Sequence, residues 1–72
     1  MLDYRDTNIA AADALTLLLQ NQHGIAAAIE EITKLLSENG ATDASTNAMA
    51  ALETLDNNAQ AITDAIMRLR QL

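Results

Sequence analysis

Glu38-Asn39-Gly40-Ala41-Thr42-Asp43 is the clear breaker in a 72-residue chain that otherwise reads as helix. Gly40 can take the left-handed position just past a helix C-terminus, and Asp43 or Thr42 can cap the helix that follows. The hexapeptide therefore predicts one helix-helix turn. Working outward from it, the first helix is expected from near Asp6 or Thr7, whose side-chain oxygens can accept from free backbone N–H groups, to about Glu38. The second is expected from about Ala44 to Arg70, with Asp43 at its start and Arg68 and Arg70 in its last turn to complement the macrodipole. Glu30 with Lys34 and Asp64 with Arg68 are spaced as possible i,i+4 pairs.

On both sides of the turn the apolar residues alternate steps of four and three. The first segment offers Ala11, Leu15, Leu18, Gln22, Ile25, Ile29, Ile32 and Leu36; the second offers Ala48, Leu52, Leu55, Ala59, Ile62, Ile66 and Leu69. Both are heptad seams. Folding the chain back at Gly40 pairs Leu36 with Ala48, Ile32 with Leu52, Ile29 with Leu55, Ile25 with Ala59, Gln22 with Ile62, Leu18 with Ile66 and Leu15 with Leu69. Large residues often face small ones in this match. The expected fold is all-α, an antiparallel helical hairpin with helices at about 7–38 and 44–70, forming a single domain over 1–72. Each arm is on the order of 40–45 Å long at 1.5 Å per residue.

Such a hairpin leaves apolar surface uncovered. A second stripe on the first helix carries Ala10, Ala14, Leu17, Gly24, Ala28 and Leu35, with Leu19 and Ala26 on the other side of the seam, and the second helix widens through Ala44, Ala51, Ala65 and Leu72. A stripe this broad belongs to a helix with more than one neighbour. The economical cover is a second hairpin, giving a homodimeric four-helix bundle. The alternative is a break at Gly24 within Asn21-Gln22-His23-Gly24, which would make a monomeric three-helix bundle. Because Leu18, Gln22, Ile25 and Ile29 keep their phase across Gly24, a continuous helix is expected, with Gly24 as a point of close helix approach.

Composition narrows the function. Fifteen Ala, eleven Leu, six Ile, no Val, no Pro and two Gly form a helix-former's inventory. The formal net charge of −6, with four Lys and Arg in all, argues against nucleic acid and against anionic membrane surfaces. No apolar run approaches the roughly 20 residues of a transmembrane helix, and Met1-Leu2-Asp3-Tyr4-Arg5-Asp6 does not resemble a secretory leader. The expected compartment is cytoplasmic. A chain this short is also a poor host for a catalytic cavity. Without Cys there is no thiolate ligand, and no inward-pointing Glu-x-x-His repeat occurs, so neither a metal nor another cofactor is expected.

Individual residues add little chemistry. His23 falls on the polar face with Thr16, Glu30 and Lys34, where a solvated imidazole is the simple reading and a pH-sensing role the sharper one. Adjacent Glu30 and Glu31 point about 100° apart and cannot form a facing acid-base pair. Gln22, on the seam, either helps to set register or reaches water at the bundle edge. Asn58, beside Asn57, lies near the apolar stripe. Leu15, Leu17, Leu18 and Leu19 radiate too widely for one seam. Tyr4 and Ile9 either close the bundle end or meet a partner, and Met49 and Met67 lie just outside the second seam, where thioethers suit an adaptable contact. The expected protein-interface set is Ala10, Ala14, Leu17, Gly24, Ala28, Leu35, Met49 and Met67. These features point to a small non-enzymatic interaction module of the adaptor, inhibitor or co-chaperone kind. The alternative is an assembly subunit of a larger complex, and a nucleic-acid-associated regulator ranks below both.

Overall fold

The computed structural model describes residues 4–72. Two helices, α1 over Tyr4–Glu38 and α2 over Thr42–Gln71, pack side by side as an antiparallel hairpin. The molecule is a rod of 57 × 15 × 12 Å with a radius of gyration of 16.6 Å, against about 11 Å for a compact domain of this length. α1 is continuous through Gly24, so the three-helix alternative does not hold. It begins three residues before Thr7, which places Asp6 in the first turn instead of at the cap. Residues 1–3 lie outside the described residues.

The turn is tighter than expected. Gly40 has φ +78°, the Ala41 N–H donates to the Leu36 carbonyl at 2.9 Å, and the Gly40 N–H donates to that of Ser37 at 3.1 Å. This pair of reversed bonds is the Schellman closure, which satisfies carbonyls that the helix end leaves open. The chain enters α2 at once: Ala41 is the N-cap residue, without a side-chain cap bond, and its carbonyl accepts from the Ser45 N–H at 2.9 Å. Neither Thr42 nor Asp43 is the cap. Asp43 lies in the first turn, where its charge still faces the positive end of the helix dipole.

That early restart changes the register. Gln22 Nε2 donates to the Leu55 carbonyl at 2.9 Å, and Ser45 Oγ donates to the Thr33 carbonyl at 3.5 Å. Gln22 thus sits opposite Leu55, seven residues from the expected partner, Ile62. The hairpin is shifted by one whole heptad: the chain turns at Gly40 as expected, but the expected pairs are centred on residue 42, whereas Gln22–Leu55 is centred between residues 38 and 39. The expected pairs of one column move together: Leu36 meets Ala41, Ile29 meets Ala48, and Leu15 meets Ile62, whereas Leu18, Ile25 and Ile32 leave the seam. Between these layers, Thr33 faces Ser45, Ala26 faces Leu52, Leu19 faces Ala59, and Ala12 faces Ile66. Each of these residues is buried or half-buried.

The covered stripe of α2 is the expected one, extended to Ser45 and Ala41. On α1 only half of the expected seam is covered. Leu15, Gln22, Ile29 and Leu36 face α2, but their companions are Ala12, Leu19, Ala26 and Thr33, whereas Ala11, Leu18, Ile25 and Ile32 are exposed. The stripe is rotated toward the side that carries Leu19 and Ala26. Small Ala12, Ala26, Thr33 and Ser45 let the helices approach, with Ala12 fully buried and Ile66 nearly so. Among the described residues no large side chain is completely enclosed.

Candidate interaction surface

The helical repeat divides the outside of the rod into two unlike faces. In an antiparallel pair, the columns flanking the seam meet like with like, so Ala11, Leu18, Ile25 and Ile32 of α1 lie on the same side as Ala44, Ala51, Asn58 and Ala65 of α2. The other side carries Thr16, His23 and Glu30 of α1 and Met49, Asp56, Thr63 and Arg70 of α2. An ion pair marks that polar side: Arg70 Nη2 lies 2.8 Å from Asp13 Oδ1, both side chains largely in solvent. It is worth a few tenths of a kcal/mol at most. The possible pairs Glu30–Lys34 and Asp64–Arg68 do not form among the described residues.

The first face is apolar and carries no charge on its central columns. Leu18, Ile25, Ile32 and Leu35 are 60, 57, 54 and 58% exposed, and Ala14, Asn21, Ala28 and Leu35 continue the surface as a second seam alongside the first. Among the described residues no Asp, Glu, Lys or Arg falls on these three columns; Arg68 lies at the edge of α2. The acidic side chains of the described residues lie off these columns, on the polar side and along the outer edges of both helices, Glu31 and Glu38 on α1 and Asp43 and Asp64 on α2. Surface depressions are shallow grooves along single helices. One, lined by Glu31, Ile32, Lys34, Leu35 and Glu38, borders the apolar face; another is lined by Ala61, Asp64, Met67, Arg68 and Gln71.

No protein-family model matches the chain, and neither a curated protein nor a solved structure is detectably similar to it. The surface itself therefore carries the functional reading.

The residues expected at an interface are all exposed, but they do not form one patch. Ala14, Ala28 and Leu35 belong to the apolar face, while Ala10, Leu17 and Gly24 lie one column further round, beyond its edge. Met49 and Met67 lie on the polar side of α2. Gly24 touches no other helix within the hairpin, since a Cβ built there meets nothing within 4 Å. Leu18, Ile25 and Ile32, which the sequence assigns to the seam, instead form the centre of the exposed face. Periodicity could not separate the alternatives. The seam column Leu15–Gln22–Ile29–Leu36 is flanked on both sides by columns with the same seven-residue spacing, and one neighbouring helix can cover only one of them.

The remaining polar residues are quiet. His23, Glu30 and Glu31 are exposed, as are Asn57 and Asn58. Among the described residues no three His, Cys, Asp or Glu come together as a metal-binding group, and no helix is long and apolar enough to cross a membrane. Thr16, Thr33, Thr54 and Thr63 donate to carbonyls four residues earlier, so these hydroxyls serve their own helices.

Proposed function

We propose that this chain is a cytoplasmic, non-enzymatic protein–protein interaction module whose working form is a homodimeric four-helix bundle. The carrying observation is the charge-free apolar face. A folded monomer of 7.7 kDa exposes roughly 4,300 Å², yet this hairpin exposes 5440 Å². The excess, about 1,100 Å² per chain, comes from the elongated shape and is spread over the whole rod, which leaves room for the ~800 Å² that each partner contributes to a standard interface. A second hairpin supplies a matching face, and the acidic exterior left outside keeps the bundle soluble. Met49 and Met67, on the polar side of α2, remain outside the paired faces as exposed thioethers with which an adaptor, inhibitor or co-chaperone would meet its client, and Leu17 remains exposed separately on the outer edge of α1.

A second reading, an assembly subunit of a larger complex, draws on the absence, among the described residues, of any fully enclosed large side chain. Sedimentation equilibrium with a pair of variants separates the two. Ile25→Glu places a charge at the centre of the exposed face and is expected to give a helical monomer. Ile29→Glu places it in the hairpin seam and is expected to abolish helicity. A wild-type chain that stays monomeric while folded at tens of micromolar would exclude the dimer and leave the assembly-subunit reading.

A further inference from the structure

Resting on the homodimer proposed above, we infer that the two hairpins pair with both turns at the same end, so that α1 of one protomer lies against α2 of its partner. A two-fold axis along the bundle leaves every residue at its own height, and α1 therefore meets the partner's α2 in the register it already has within the hairpin. That register is set by Gln22 on Leu55 and Ser45 on Thr33. It brings the large column Leu18, Ile25 and Ile32 to within two residues of the height of Asn58, Ala51 and Ala44, an offset of about 3 Å at most.

Large side chains thus meet small ones in three successive layers, the arrangement that fills space with even helix spacing. With the turns at opposite ends, α1 would face α1 and α2 would face α2. Leucine and isoleucine would then crowd one side while alanine met alanine on the other, demanding two different helix separations in one bundle. The open end fits the same scheme: Tyr4 and Leu72, 92 and 76% exposed, continue the two columns and come to one height, where each would cover the other's partner copy.

A distance measurement decides the matter, and the chain contains no native cysteine to interfere. Ser37→Cys, exposed beside the turn, carries a nitroxide label for pulsed electron–electron resonance; Glu38→Cys is a second position should the first perturb folding, judged by circular dichroism. With turns at one end, the label-to-label distance is under about 30 Å, the width of a four-helix bundle. A distance near 50 Å, approaching the 57 Å long axis, would overturn this arrangement while leaving the dimer intact. An unmodulated signal at a concentration where the labelled chain sediments as a monomer would overturn both.

Discussion

Two glycines in this chain have opposite meanings. Gly40 holds φ +78°, a conformation in which a Cβ crowds the following carbonyl. Gly40→Ala should therefore lower stability by about 1–2 kcal/mol, seen as a lower midpoint in urea unfolding. Gly24 sits in ordinary helix with open space where its side chain would be. Gly24→Ala should raise stability by about 0.5–1 kcal/mol and leave the sedimentation mass unchanged, because its column lies beyond the apolar face. A drop in mass would show that a helix does approach there. The left-handed turn residue was legible because few residues other than glycine adopt that conformation. A mid-helix glycine, by contrast, has the same appearance whether it admits a neighbour or merely tolerates solvent.

At the scale of the helices, the turn and the seam share one cause. Thr33 and Ser45 face each other in the layer next to the turn, both buried, with the Thr33 hydroxyl turned back to the Ile29 carbonyl at 2.7 Å. Small side chains there allow the helices to meet immediately after Gly40. Ser45→Ile should splay that end and cost about 1–3 kcal/mol by overpacking, while the same change at exposed Thr46 should be nearly neutral; thermal melts of the two variants provide the comparison. The helices, their antiparallel sense and the whole α2 seam were legible, since heptad spacing is a local property of the chain. Register was not, because sliding α2 by seven residues returns the same columns to contact. Only the backbone geometry of Asn39-Gly40-Ala41 distinguishes Leu55 from Ile62 as the partner of Gln22. The choice between Leu18–Ile25–Ile32 and Leu19–Ala26–Thr33 as the inner column was equally hidden. Hydrophobicity alone favours the former, and the hairpin packs the latter, leaving its larger side chains outside.

For the molecule as a whole, stability and association are expected to be linked. If the apolar face is covered only by a second copy, raising the concentration tenfold should raise the melting midpoint of the native chain and leave that of Ile25→Glu unchanged. Equal midpoints at all concentrations for both would sever the link. The cross-helix bonds also differ greatly in the length of chain they enclose: 12 residues from Thr33 to Ser45, 33 from Gln22 to Leu55, and 57 from Asp13 to Arg70. Closing a longer segment costs more entropy, so the arms should zip from the Gly40 end and part first at the other. Amide hydrogen exchange should record this as a gradient, with protection greatest near Ile29 and Ala48 and falling toward Ile9 and Leu69. The hairpin would then behave as a clasp hinged at one end, whose free tips open far more often than the molecule unfolds.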